Sequence, residues 1–475
     1  MKRIAIIGGG ISGLSAAYTL EKIRRDGVDV EYSLYESADR LGGVLVTDRV
    51  DDCIIEAGPD SFLTEKPWAC NLCVEIGLAD QLIGSNDVDR KTYILVRGRL
   101  IEMPDGLMFM VPTKILPTVF SSLFSLKTKL RMAQEWFHPP HKASADETVA
   151  SFVERHYGPE MVDLLADPLL SGVYGGEASQ LSVRAVLSRF ADMEAKHGSL
   201  GRAMLAARQS VPKPQNGNSR ALFTSLKEGM QQMVDALVGQ LSGDSLNTGA
   251  AVQAISPEGG SWIVSAGLES DQFDGVILAL PTQAAANLLG RANADLAAEL
   301  RGITYSSSVT VALGYDKKVR DSLPPGFGFL VPRSEGKRML AATFVHNKFP
   351  HRAPDDRAVL RCFLGGARDE QILSLSDDEI LRIVRGELNQ IIRLNAEPLF
   401  TRVFKWRGAM AQYGVGHLER LQRIEGLRRQ HSGLALAGNG YNGIGVPDCV
   451  RSGTEAVRTV LQALGVAEPQ SLSTP

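Results

Sequence analysis

Apolar positions gather at the start of the chain. Lys2–Ile7 carries Ile4, Ile6 and Ile7 in a nearly unbroken run, the pattern of a strand buried on both faces of a parallel sheet. After Gly8-Gly9-Gly10-Ile11-Ser12-Gly13, residues Leu14, Ala17, Tyr18 and Leu20 fall at helix-face spacing, and a second strand, Val30–Tyr35, ends at Glu36. Residues 53–58 read as a strand, 67–76 as a helix with Pro67 in its first turn, and 91–96 with 100–103 as a hairpin. Residues 104–117 are loop-like. Helical patterns cover 118–137, 147–170, 182–209 and 226–241, with a glycine-rich turn at 168–176 and a linker at 211–219. Residues 246–255 and 274–280 are strands, the second as apolar as the first. A second, mixed sheet is expected from 307–315, 326–331, Met339–Phe344, 358–364 and the hairpin. Asp377–Ile392 is an amphipathic helix N-capped by Ser376. A last buried strand, 434–438, precedes a helix at 450–464, and 467–475 reads as a disordered tail.

The strand–turn–helix–strand–acid order at the start carries chemistry. Gly8 permits a tight turn, Gly10 lets backbone approach a pyrophosphate, and Gly13 lets the helix lie close on the sheet. The loop through Gly9, Ile11 and Ser12 offers N–H groups and a positive dipole end to phosphates, and Glu36 is placed to accept from ribose hydroxyls. Next comes Ser37-Ala38-Asp39-Arg40-Leu41-Gly42-Gly43. This run resembles the FAD-binding signature of the amine-oxidase and phytoene-desaturase flavoproteins. The resemblance implies that Arg40 faces FAD phosphates or ribose, and that Gly42 and Gly43 let the chain pass close to the cofactor.

Bulk properties narrow the setting. A chain of 475 residues needs two or three cores. A formal net charge of −3 gives no sign of nucleic-acid binding. Five scattered cysteines suit a reducing cytoplasm, and Cys70 and Cys73 read as packing residues on one helix. The first strand starts too early for a signal peptide, and no apolar run reaches membrane-spanning length. The basic, apolar stretch 118–137 fits a membrane surface or, preferably, part of a helical subdomain. No metal site and no catalytic acid or base is expected.

Taken in order, G-G-G-I-S-G-L, E-x-x-x-R-L-G-G, E-A-G-P-D-S-F, P-L-L-S-G-V-Y-G-G, L-V-P-R, F-P-H-R-A-P, the run from Lys405 to His417, and Y-N-G-I-G-V-P-D-C resemble the flavin-dependent porphyrinogen oxidases of haem synthesis. The resemblance implies an α/β and α+β architecture. A Rossmann-like FAD unit is built from 1–85, 218–295 and 405–466, a mixed-sheet substrate unit from 86–108 and 296–404, and a helical insertion from 109–210. Ala57, Gly58, Pro59 and Asp60 would pass the isoalloxazine ring and Val252 the adenine. Trp406, Gly438, Ile444, Gly445 and Val446 would complete the FAD site. Leu330, Thr343 and Phe363 would line a macrocycle pocket, with Gly172 and Gly175 allowing close approach. Lys66, which taken alone reads more readily as a solvated lysine, would by the resemblance hold a substrate carboxylate. Two positions depart from the family pattern: Ala411 stands in place of a proline, and Thr92 in place of an arginine. Thr92 with Lys66 looks more like the bacterial branch that oxidises coproporphyrinogen III than the one that takes protoporphyrinogen IX. Implied partners are a porphyrinogen and dioxygen, with room for transient contact with ferrochelatase or neighbouring haem-pathway enzymes and at most peripheral membrane contact. An amine oxidase, a carotenoid desaturase and a non-catalytic flavin carrier remain open on the same fold.

Overall fold

The computed structural model describes residues 1–108, 110–141, 145–210 and 221–467. The expected linker at 211–219 and the tail beyond 467 lie outside the described residues.

Five short strands form a parallel sheet, and they come from distant parts of the chain. Lys2–Ile7 is central, flanked by Val30–Tyr35 and Gly275–Leu278; Leu246–Asn247 and Leu434–Leu436 close the two edges. Burial on both faces explains the lack of alternation in residues 4–7 and Gly275–Leu278, whereas Val30–Tyr35, nearer the edge, alternates and exposes Glu31. On one face lie helices Ile11–Arg25, Gln231–Val238 and Val446–Ala463, with Leu14, Leu20, Met233 and Val457 buried among the sheet's Ile4, Ile6 and Leu34. On the other, helices Thr282–Leu289 and Ala294–Arg301 and an antiparallel three-stranded sheet bury Trp262 and Phe273. Helix Val446–Ala463 lies so close on Ile11–Arg25 that a Cβ at Gly453 would overlap the Ser12 carbonyl.

The second sheet has seven strands, from Phe400–Ala411 at one edge through Tyr305–Asp316, Arg357–Gly365, Met339–Phe344, Gly328–Leu330 and Thr92–Val96 to Arg99–Glu102. It is mixed, as expected, because Gly328–Leu330 runs parallel to Thr92–Val96. One face is sealed by helix Asp377–Ile392, whose Ser376 and Glu379 form a capping box.

Several boundaries differ from the sequence reading. Residues 118–137 are two helices, Ile115–Phe120 and Leu126–Glu135; Ser125 caps the second, receiving the Thr128 N–H. Residues 104–117 contain a small antiparallel pair, Leu107–Met108 with Val111–Pro112. Residues 246–255 split, because Leu246–Asn247 joins the parallel sheet while Val252–Glu258 starts an antiparallel one, with Gly249 turning between them at φ +65°. Phe223–Leu226 is a strand, so the helix expected from 226 begins only at Gln231. Helix Asp167–Tyr174 runs through the expected glycine-rich turn and stops at left-handed Gly175. The last helix starts at Val446 rather than 450, with Pro447 in the first turn, where a missing N–H costs nothing.

The helices between 115 and 210 enclose a buried polar network. His156 sits between Glu135 (3.3 Å) and Glu194 (3.1 Å), and Arg155 joins Glu194 and Glu147 (2.5 Å). Burial pushes the Glu194 carboxyl up, but hydrogen bonds from His156 and Arg155 outweigh it and leave it at about 2. A depressed folded-state pKa contributes stability above the unfolded value near 4.5, and that stability is lost as pH falls toward 2. His156 is raised despite its burial, by both glutamates, so its contribution is complete in acid and fades above its unfolded value of about 6.5. The expected result is a steep loss of stability between pH 4.5 and 2 that is shallower in Glu194→Gln, read from denaturant midpoints across that range. An unchanged slope would remove Glu194 from the account.

Candidate active site

The glycine turn is held from three sides. Gly8 leaves the first strand at φ +109°, a conformation that a side chain resists, and donates its N–H to the Tyr35 carbonyl (2.8 Å). A Cβ at Gly13 would overlap the Gly8 carbonyl, so this glycine sets the closeness of helix and turn. Gly10 caps the helix with no side chain, and a Cβ there would meet nothing within 4 Å. Open space therefore faces the helix N-terminus, where anions are favoured. The Glu36 carboxylate takes the Gly9 N–H (2.7 Å), the Ala38 N–H (2.8 Å) and the Ser37 hydroxyl (3.1 Å). The second glycine pair is stitched to the first loop: Gly42 donates to the Gly9 carbonyl (2.8 Å), and a Cβ at Gly43 would press on Gly10 Cα. Arg40 donates to the Gly43 carbonyl (2.5 Å) and is otherwise exposed.

The strand Cys53–Glu56 leads into a backbone bracket. Trp406 Nε1 donates to the Ala57 carbonyl (2.8 Å), Arg361 to the Gly58 carbonyl, and Ser225 Oγ to the Asp60 carbonyl (2.7 Å). Beneath it lies a charge cluster. Glu56 pairs with Arg352 (3.0 Å, both 1% exposed), and Asp60 pairs with Lys348 (3.0 Å) and Arg361 (3.7 Å). Arg352 also donates to Ser225 Oγ (2.6 Å). Burial pushes the Asp60 carboxyl up, but Lys348 and Arg361 more than reverse it and hold it well below the usual carboxylate range. Glu56 is raised, burial outweighing Arg352.

Strand register brings the expected pocket residues together. Leu330 faces Ala341, Ala341 faces Phe363, and Thr343 faces Arg361, so Leu330, Thr343 and Phe363 share the sheet face that also carries Trp406 and Arg361. All three are half-buried on a sheet that is otherwise mostly sealed, and the Arg361 guanidinium lies over the Phe363 ring at 4.8 Å. Lys66, the residue before helix Pro67–Glu75, reaches Asp448 in the first turn of the last helix (2.7 and 2.8 Å). Asp448 also takes the Gly445 N–H (3.2 Å). The loop before that helix is braced by Tyr413, which donates to the Asn439 carbonyl (2.6 Å), accepts from Gly443 N–H (2.9 Å) and stacks on His417.

Over residues 11–461 the chain matches the family described as flavin containing amine oxidoreductase. The chain belongs to this family. It is 35% identical to the coproporphyrinogen III oxidase of Bacillus subtilis, covering 98% of each chain, and 28% identical to protoporphyrinogen oxidase 2 of Arabidopsis thaliana, covering 98% of this chain and 94% of that one. A solved chain from Exiguobacterium sp. 255-15 with a provisional protoporphyrinogen oxidase name superposes with a TM-score of 0.87 at 30% identity, covering 98% and 99%. Cyclohexylamine oxidase from Brevibacterium oxydans, 18% identical with a TM-score of 0.69 and coverage of 98% and 99%, shares the fold.

This FAD oxidoreductase has a site that fits its cofactor: open space at Gly10, an unblocked helix N-terminus, an acid at the second strand's end, and a pinned backbone bracket beside a half-open sheet face. The other sequence-predicted residues differ in their surroundings. The Asp60 carboxylate is taken up by Lys348 and the Ser61 hydroxyl (2.6 Å). Gly175 is a packing glycine, buried where a Cβ would press on Ser306 Oγ and Met410 Sδ, whereas Gly172 is exposed with open space around it. Val252 opens its strand half-buried, Gly438 donates to Ser452 Oγ (3.0 Å), and Ile444, Gly445 and Val446 form the entry to the last helix. Sequence reasoning missed Glu56, Lys348, Arg352 and Arg361. The one available signal was an arginine inside the apolar strand Arg357–Gly365, at a position that shares its face with Phe363.

Proposed function

We propose that this flavoenzyme oxidises coproporphyrinogen III to coproporphyrin III in the cytoplasm, removing six electrons and six protons and reducing three dioxygen molecules to hydrogen peroxide. The observation that carries the reading is the half-buried face of Leu330, Thr343 and Phe363, joined through Trp406 and Arg361 to the Ala57-Gly58 backbone. The apolar ring system of a porphyrinogen suits such a wall. The names of the curated bacterial relatives support the same substrate. FAD, held by the glycine loop, Glu36 and the backbone of residues 57–60, would supply the two-electron redox chemistry between the macrocycle and dioxygen. The chain's own part is placement and shielding. Leu330 and Phe363 exclude water from one side of the substrate. Trp406, Arg361 and Ser225 fix the bracket against which the reacting carbon is presented. Lys66 holds a propionate, and Asp448 holds Lys66 in position.

Four propionates favour coproporphyrinogen III at a site with a half-exposed ammonium, and Thr92 leaves the other end of the same sheet face uncharged. The exposed row Leu116, Val119, Phe120, Leu126, Leu130 and Phe137 is the surface that supports peripheral membrane contact. Among the described residues no helix is long and apolar enough to cross a membrane.

Oxygen uptake and porphyrin fluorescence with the two porphyrinogens test the reading. The expected result is turnover with clear preference for coproporphyrinogen III. Lys66→Met should raise its KM by about 10- to 100-fold, the size of one charge-assisted contact of about 1.5–3 kcal/mol, and Lys66→Arg should recover most of the loss. Preference for protoporphyrinogen IX would overturn the substrate assignment. Turnover with neither while FAD stays bound would overturn the reaction.

A further inference from the structure

The cluster beneath the bracket is unequal in charge. Lys348, Arg352 and Arg361 bring three cations; Glu56 and Asp60 bring two carboxylates. All five side chains are buried or nearly so, so the surplus is poorly screened by solvent. The cations arrive from the second sheet and its neighbouring turns, while the carboxylates flank Ala57-Gly58-Pro59, the backbone expected to pass the isoalloxazine ring. Arg361 touches that backbone directly, through the Gly58 carbonyl. Two neutral pairs would have served rigidity equally well. A third cation, added where burial makes charge costly, calls for an electrostatic purpose.

We infer that the Glu56–Asp60–Lys348–Arg352–Arg361 cluster is a positioning and charge-setting device for the flavin, whose surplus positive charge favours the reduced, more negative state of bound FAD. It stabilises the electron-rich form that follows hydride acceptance. It acts through a fixed field, since salt bridges on both sides prevent the charges from turning away. The cluster acts through the segment 57–60, which Arg361 holds at the Gly58 carbonyl. The inference rests on FAD lying against that segment and is independent of which porphyrinogen is oxidised.

A charge ladder tests it. Lys348→Met removes the surplus, Asp60→Asn doubles it, and the double variant restores it with both partners replaced by neutral groups of similar size. The readouts are the reduction potential of bound FAD, equilibrated anaerobically against a reference dye, and the FAD dissociation constant, both without any porphyrinogen. Lys348→Met should lower the two-electron reduction constant of bound FAD about tenfold, which is about 30 mV. Asp60→Asn should raise it by a similar factor, the double variant should return within about threefold of the original, and Lys348→Arg should keep the original potential. A merely structural role moves both single variants the same way, because each breaks the same pair. That outcome, or bound FAD with less than a twofold change in every variant, overturns the inference. Loss of FAD binding in both single variants with recovery by the double variant likewise overturns it, since the pair would then govern affinity alone.

Discussion

Replacing Arg352 by methionine will destabilise the protein by about 3–5 kcal/mol, the typical cost of leaving one member of a buried ion pair without its partner. Glu56 and Arg352 are each 1% exposed and 3.0 Å apart. Glu56 keeps its hydrogen bonds from the Met230 N–H (2.7 Å) and the Thr47 hydroxyl (2.9 Å), but these do not neutralise it. Its carboxyl is already raised by burial, and loss of Arg352 removes the main opposing influence. The damage should therefore be relieved by protonation: the variant should recover part of its stability as pH is lowered from 7 toward 5. Adding Glu56→Gln should restore most of it at neutral pH, because an amide leaves no uncompensated charge. Denaturant midpoints of the four proteins in this cycle give the coupling directly. If the single and double variants are equally unstable, packing rather than charge explains the loss.

Gly10→Ala and Gly13→Ala will both yield protein depleted of FAD, for opposite reasons. At Gly13 the new methyl collides with the Gly8 carbonyl, so turn and helix must separate, and the apo-protein itself should unfold more easily. At Gly10 the methyl enters space that no protein atom claims, with a backbone at φ −71° that alanine adopts freely. The apo-protein should lose no more than about 1 kcal/mol, from the poorer N-cap. Its FAD affinity should nevertheless fall at least about 100-fold, since that space is where the backbone must meet a pyrophosphate. Fluorescence titration with FAD, beside thermal melts of the apo-proteins, separates the two. Normal FAD binding by Gly10→Ala would show that the cofactor phosphates do not lie there.

The parts of the fold that were legible in sequence are those whose signal is local. Lys2–Ile7 announces itself by the apolar run at residues 4–7, Val30–Tyr35 by its Val, Tyr and Leu residues leading to Glu36, and Asp377–Ile392 by a full capping box and a clean apolar stripe. The failures have a common cause, a local pattern overruled by a distant partner. Residues 246–255 are apolar enough for one strand, but the parallel sheet accepts only Leu246–Asn247 and the antiparallel sheet takes the rest. Phe223–Leu226 lies where a helix was expected because Phe62–Leu63 and Leu82–Gly84 pair with it. The same limit hid half of the site. The glycines and Glu36 lie within one short stretch and are visible as a motif. The charge cluster joins Glu56 and Asp60 to residues some 290 positions later, for example Asp60 with Lys348, and nothing in either segment names the other. Lys66 was singled out, but its partner Asp448 was not, although the cap at Gly445 and the buried start of the last helix depend on it.

The strand order of the parallel sheet also bears on how the protein is made. Its central strand leaves the ribosome hundreds of residues before its edge strand Leu434–Leu436 and the covering helix Val446–Ala463. During synthesis the glycine loop waits, with its sheet incomplete and the surface destined for Val446–Ala463 bare, while hundreds of residues emerge. The region best marked by its sequence is thus among the last to become functional. Cofactor loading therefore has to wait until these distant segments have met.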